Sequence, residues 1–296
     1  FSLSLSVMVG ENGNGMALPL LFGGTDAQKQ KYFPILAEGR TIVAFALSEP
    51  EAGSDAAALR TRAVRDGDDW LISGNKIFVT CGPVAEYLLV FARSNDAPRA
   101  KGVSAFIVDT SLPGVVRGPK NKKMGYNGAT PNCDFFFENV RVSADAMIGA
   151  DGEGFTIAMK CMEFNRPAMS ASAVGIAQGG LEQAVDFAKE REQFGKPIAQ
   201  HQAIRHKLVT AKTKLQAARH MLYHGAYLAN QGLPCSVETS MAKLFVADVG
   251  VEIALICQQV IGAYALSDEY DIERNVRDLL GMPIVGGSSD MQKNNI

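Results

Sequence analysis

The sequence has almost no net charge, a single tryptophan and no paired cysteines, and these shortages exclude several functions. Lys plus Arg number 29 against 31 Asp plus Glu, a formal charge of −2. No basic surplus is left to neutralise phosphates, so no nucleic-acid partner is expected. The cluster Lys120, Lys122 and Lys123 reads as a solvated loop. No uninterrupted apolar run reaches the roughly 20 residues of a membrane span. Cys81, Cys133, Cys161, Cys235 and Cys257 are odd in number, scattered and without a Cys-x-x-Cys pair. That excludes a disulfide scaffold or zinc ribbon and suits a reducing compartment. Also absent are Gly-x-Gly-x-x-Gly after a strand, a Walker loop, Gly-x-Ser-x-Gly and His-Glu-x-x-His. His220 and His224 stand one helical turn apart but lack a third ligand, so no metal site is expected. Residues 1–9 carry no basic segment or cleavage site. They read as the interior of a helix or strand rather than a signal peptide.

What is present is a globular composition, 47% apolar and 20% charged over 296 residues. Residues 27–39 have helical spacing, with Tyr32, Phe33, Ile35 and Leu36 available to a core. From residue 41 to about 149 the pattern changes to β-rich runs: TIVAFAL, DWLISGNKIFVT, EYLLVFAR, GVSAFIVDT, GVVRG and DFFFENVRV. Six such runs without long helices between them predict an antiparallel sheet or barrel. From about residue 152 three long helical stretches follow, separated by Gly195 with Pro197 and by Gly232 with Pro234. Long helices with short connections predict a bundle. The fold class expected is multidomain α+β: a helical remnant over 1–40, a middle antiparallel β domain over 41–150, and a helical bundle over 151–296. GENGNG at residues 10–15 reads as a loop.

Three segments carry chemistry. ALSEPEAGSD (46–55) places Gly53 and Ser54 in a turn after a strand, where backbone N–H groups and a hydroxyl can meet an anion. SGNKIFVTCG (73–82) puts Phe78 and Thr80 on one face by strand alternation, an aromatic and a hydroxyl suited to a planar heterocycle, although packing alone explains Phe78 equally. KEREQFGKPI (189–198) sets Arg191, Gln193 and Phe194 at a helix end, where a cation can meet phosphate or simply complement the helix dipole.

Together with DGEGFTIAM, the NRPAMSASAVGIAQGG stretch and the closing RDLLGMPIVGGSSDMQKNNI, these segments resemble the acyl-CoA dehydrogenase family from near residue 10 to the end. The first part of that family's N-terminal helical domain and its last helix have no counterpart. The resemblance implies a C-terminal four-helix bundle, FAD between it and the β domain, and an acyl-CoA thioester against the flavin. Position by position, Phe45, Leu47 and Ser48 would line the flavin ring and Phe78 and Thr80 would flank it, Phe78 standing where many members have Trp. Gly53 and Ser54 would meet the pyrophosphate or CoA. Arg191, Gln193, Phe194, Gln259 and Gly262 match positions that bind the adenosine half of a neighbouring subunit's FAD, which implies a homodimer or homotetramer. Asn165, Arg166, Val285 and Gly287 fall on the substrate side, and Ser288 and Asp290 on the flavin side. Electron-transfer flavoprotein is the implied partner, and the bacterial cytoplasm, ahead of a mitochondrial matrix, the implied compartment.

One departure matters. The family's catalytic Glu matches Gly286, and the position used by a minority of members matches Asn165; neither is a base. Glu163 is two residues away on the same helix and is a weak substitute, and Asp290 replaces an amide. Three readings follow: α,β-dehydrogenation with a base from elsewhere; a reaction needing no α-proton removal, such as desulfination of 3-sulfinopropionyl-CoA; and a non-catalytic acyl-CoA or FAD-binding protein.

Overall fold

The apolar spacing of the sequence sorts into a large sheet with helices on one face and a further set of long helices. A computed structural model describes residues 2–126 and 130–296. They divide into two units: residues 4–123 with 130–162, and residues 163–296 with 2–3 and 124–126.

The first unit holds an eight-stranded sheet: β1 (Val43–Ala46), β2 (Arg62–Asp66), β3 (Asp69–Thr80), β4 (Tyr87–Arg93), β5 (Val103–Asp109), β6 (Val115–Lys120), β7 (Asn132–Val142) and β8 (Met147–Ile148). Their order is β6-β7-β3-β2-β4-β5-β8, with β1 also on β4. Gly67, at φ 63, makes the tight turn of the β2–β3 hairpin. The continuous apolar run of β4 is buried on both faces. Leu88 and Val90 join a cluster with Trp70, Phe106 and Phe135, while Leu89 and Phe91 join another with Met16, Leu20, Ile107 and Ile157. Helices supply that second face: α1 (Leu3–Asn12), a π-helical turn over Gly13–Ala17, α2 (Leu18–Gly23), α3 (Asp26–Ala37) and the start of α4 (Gly154–Glu190).

Two expectations are corrected. The sheet is mixed rather than antiparallel, because β1 and β2 both run parallel to β4. The chain between Ala46 and Tyr87 is long enough to cross over, and it carries the β2–β3 hairpin on the way. The GENGNG stretch is helical, not a loop. A Cβ on Gly15 would lie 2.5 Å from Val43 O, so its glycine lets the helix rest directly on β1. Asn12 completes the contact, donating to Thr41 O at 2.8 Å and accepting from Val43 N at 2.9 Å. Helix α1 agrees with the regular element expected over residues 1–9, Phe1 lying outside the described residues.

The second unit contains the remainder of α4, then α5 (Gln202–Asn230), α6 (Ser236–Ile261), α7 (Asp271–Leu279) and α8 (Ser289–Asn295), with a small hairpin, β9 (Glu192–Gln193) and β10 (Lys196–Pro197), between α4 and α5. Helix α5 buries Ala211, Leu215, Ala218, Leu222 and Gly225, the three-four spacing of a packed seam. Its Gly225 permits close approach to α6, since a Cβ there would sit 3.3 Å from Thr239 Cγ2. Among the described residues, the stretch Ser236–Leu266 is long and apolar enough by composition to cross a membrane, but half of its apolar window is packed inside the protein.

Candidate functional site

In the sheet unit the ALSEPEAGSD turn is anchored by a buried ion pair. Lys76, on β3, is fully enclosed; its Nζ donates to Glu49 Oε1 at 2.8 Å and Leu47 O at 3.1 Å. Glu49 also accepts from the N–H groups of Arg60 (2.6 Å) and Thr61 (3.0 Å). Burial pushes the Glu49 carboxyl upward, but these donors prevail and hold it below the ordinary carboxylate range. Burial brings the Lys76 ammonium down to about 8 against the pull of Glu49. Removing one member of such a pair costs about 3–5 kcal/mol. The Glu49 backbone exchanges two 3.1 Å hydrogen bonds with Ala52, so the exposed turn bearing Gly53 and Ser54 is fixed to β3. Phe45 lies 4.8 Å from the Phe91 ring, and Ser48 O accepts from Ile77 N at 2.9 Å, which brings Ser48 to the residue preceding Phe78.

Strand alternation, the reason for grouping Phe78 with Thr80, is interrupted here. The β3–β7 pairing shifts between Lys76 and Val79, and Phe78 adopts φ 53 with 61% of its surface exposed. Buried Val79 separates it from half-buried Thr80. This is a bulge, a device that re-aims side chains out of a ladder.

In the helical unit the hairpin after α4 meets the end of α6. The Arg191 guanidinium lies 5.8 Å from the Tyr264 ring, just beyond Gly262, and Tyr264 packs against Phe187 (5.9 Å) and Tyr270 (5.6 Å). Phe194 is 93% exposed at φ 54, edge-on to His201. Gln193 donates to Glu192 O at 2.6 Å, and Gln259 accepts from Lys207 at 2.8 Å.

A second group in this unit surrounds the turn before α8. Lys243, 1% exposed, donates to Met282 O at 2.9 Å and Gly287 O at 2.7 Å, and Gln292 Nε2 reaches the same Gly287 O at 2.9 Å. Burial lowers the Lys243 ammonium to about 8, with Asp248 opposing. Gly286 and Gly287 take φ 66 and 88, and a Cβ on Gly286 would meet nothing within 4 Å. Ser288 Oγ caps α8 by accepting from Met291 N at 3.3 Å. Asp290 is exposed and pairs with Lys293 at 2.9 Å. Arg166, on α4, donates to Ser236 Oγ at 3.4 Å, while its Nε is buried without a hydrogen-bond partner. Burial lowers the Arg166 pKa, with Glu163 opposing. Pro167 follows on the helix with no N–H of its own, so the Glu163 carbonyl loses its intrahelical donor. Asn165 lies between these residues on α4.

Sequence reasoning missed Lys243 and Glu11. Lys243 is the one basic residue of a largely apolar helix that also carries Glu238, Asp248 and Glu252, so its charge did not stand out. Glu11 is enclosed, with one long hydrogen bond from Phe45 N (3.4 Å); burial raises it to about 8, and the Phe45 amide opposes. It went unread because its segment looked like a polar loop. Among the described residues, no three His, Cys, Asp or Glu side chains are placed to hold a metal ion.

A strained, exposed aromatic beside a hydroxyl fits a planar ring. An arginine over a tyrosine cluster, with an exposed aromatic three residues further along the chain, fits a nucleotide with its phosphates. The residues present therefore fit FAD.

Comparison with known proteins agrees. The family model described as acyl-CoA dehydrogenase, middle domain, matches residues 44–140, and that described as acyl-CoA dehydrogenase, C-terminal domain, matches residues 152–296. An acyl-CoA dehydrogenase of Bacillus subtilis (strain 168) is 42% identical over 98% of this chain and 75% of its own length. The butyryl-CoA dehydrogenase structure from Megasphaera elsdenii superposes with TM-score 0.96 at 34% identity, over 99% of this chain and 77% of that one. A chain from a structure of the electron transferring flavoprotein of Acidaminococcus fermentans gives 0.95 at 38% identity, over 98% and 76%.

Proposed function

The chain belongs to the acyl-CoA dehydrogenase family, and from that premise we propose that it is an FAD-dependent oxidoreductase that forms a Cα=Cβ double bond in an acyl-CoA thioester. The observation that carries the reading is that middle-domain and C-terminal-domain models match in order along one chain, over more than half its length. FAD, when bound, supplies the acceptor for the β-hydrogen, which leaves as hydride. The remaining work falls to the protein. Phe78 and Thr80, with Phe45, Leu47 and Ser48, orient the ring; Gly53 and Ser54 meet phosphate. Arg191, Gln193, Phe194, Gln259 and Gly262 hold an adenosine half, and we assign that half to a neighbouring subunit of a homodimer or homotetramer. The 93% exposure of Phe194 supports this. Arg166, Asn165, Val285 and Gly287 face the thioester. Electron-transfer flavoprotein takes the electrons onward, a role supported by the similarity to the Acidaminococcus fermentans structure.

The α-proton must pass to a base, and Gly286 offers none. The α-carbon acid is weak, and a positioned base is worth about 10²- to 10⁴-fold. Dehydrogenation by this chain is therefore expected to be slow. Gly286→Glu has open space for the new side chain, at a cost of about 1–2 kcal/mol for a left-handed non-glycine residue. The test is anaerobic addition of butyryl-CoA to FAD-loaded protein. Bleaching of the flavin, at least 100-fold faster in the variant, is expected. An FAD-loaded, folded variant that bleaches no faster overturns the placement of the base at 286. The desulfination and non-catalytic alternatives draw no support from the dehydrogenase names of the relatives; sulfite release from 3-sulfinopropionyl-CoA without bleaching would favour the former.

A further inference from the structure

The bulge at Phe78 is held by side chains where a ladder would use backbone. Asp134, on β7, faces the two extra residues of β3, between the pairs Lys76↔Phe135 and Val79↔Cys133. Ile77 gives its N–H to Ser48 O. Phe78 gives its own N–H to Asp134 Oδ1 at 3.0 Å, and its carbonyl accepts from Asn132 Nδ2 at 2.8 Å. A phenylalanine at φ 53 persists only where its surroundings over-determine it; here β7 side chains take both of its backbone groups.

Asn132 is 8% exposed, and its orientation is set from behind. Its Oδ1 accepts from Lys123 Nζ at 2.5 Å, and the same ammonium donates to Thr130 O at 3.0 Å. The two ends of an asparagine amide differ little in shape, so chemistry must choose between them. An ammonium can only donate, so it requires the amide oxygen. The NH₂ is then turned to Phe78 O and, at 3.4 Å, to Thr80 Oγ1. With a lone pair of Thr80 facing that donor, the hydroxyl proton is free to be given to another acceptor.

We propose that Lys123 and Asn132 are positioning residues that hold the Phe78 bulge and leave the Thr80 hydroxyl as a donor toward the flavin ring. This rests on the reading of Phe78 and Thr80 as flavin-facing. Lys123→Met keeps the length of the stem and removes the donors. Asn132→Asp keeps the shape and the Lys123 contact but loses both N–H groups. Lys123→Arg still donates.

Two measurements on the full chain test it, with circular dichroism confirming the fold. Hydrogen exchange of the FAD-free protein over residues 76–81 reads the bulge by itself; it should quicken in Lys123→Met and Asn132→Asp and stay near wild type in Lys123→Arg. Titration of FAD should show about tenfold weaker binding for the first two, the equivalent of one charge-assisted hydrogen bond. The double variant should bind no worse than Asn132→Asp alone, since the residues act in series. Unchanged exchange in both variants, or losses that add, overturns the proposal. Wild-type protein that binds no FAD overturns the flavin reading instead, and exchange still decides the bulge.

Discussion

Glu11 shows how one buried group governs pH dependence. Burial lifts its carboxyl from 4.5 to about 8. Below pH 4.5 it is protonated in both states. Between there and about 8 the unfolded chain releases the proton and the folded chain keeps it, so stability falls as pH rises. The slope approaches about 1.4 kcal/mol per pH unit. Glu11→Gln keeps the shape without the titration. Its urea midpoint should match that of wild type near pH 4 and exceed it near pH 8; parallel midpoints at both would refute the assignment. Charged residues of this kind were the least legible part of the sequence. Glu11, Lys243 and the Glu49–Lys76 pair all look like ordinary solvated charges until partners distant along the chain enclose them.

At the scale of elements, α3 is set by its first turn. Thr25 and Gln28 form a reciprocal capping box, and Gln28 Nε2 also donates to Asp145 O and Met147 O at 2.8 Å each, joining the helix to β8. Gln28→Ala keeps the Thr25 hydroxyl cap but removes the acceptor of the Thr25 N–H and leaves two carbonyls short of a donor, so thermal or urea unfolding should show a loss of about 2–3 kcal/mol. A loss under about 0.5 kcal/mol would mean that water replaces the amide freely. The runs of β3, β4, β5 and β7 could be read directly, because alternation or a continuous apolar run marks a buried strand. Strand β2 could not: in RAVRD only Ala63 is buried, and its charges hide the period. The bulge at Phe78 escaped for another reason. It exists only in the pairing with β7, and nothing local to SGNKIFVTCG encodes that register.

For the whole molecule, the site residues come in two sets, one on the sheet unit and one on the helical unit. A ligand that binds the folded chain and not the unfolded one should stabilise it by mass action. Free FAD at 100 times its dissociation constant is worth about 2.7 kcal/mol. The melting temperature should rise by several degrees and keep rising with the logarithm of FAD concentration; a flat response up to millimolar FAD would refute binding. The motifs that named the cofactor were legible because each is a short local stretch. The proton acceptor was not, since a glycine announces only what it lacks. The backbone at 286 bears on how such a chain could change. Glycine occupies φ 66 without strain, whereas an acid there is strained. If residue 286 is the place of the base, as proposed above, exchange of an acid there for glycine runs downhill in stability and the reverse exchange uphill, a ratchet that would favour lineages finding new chemistry over those regaining the old.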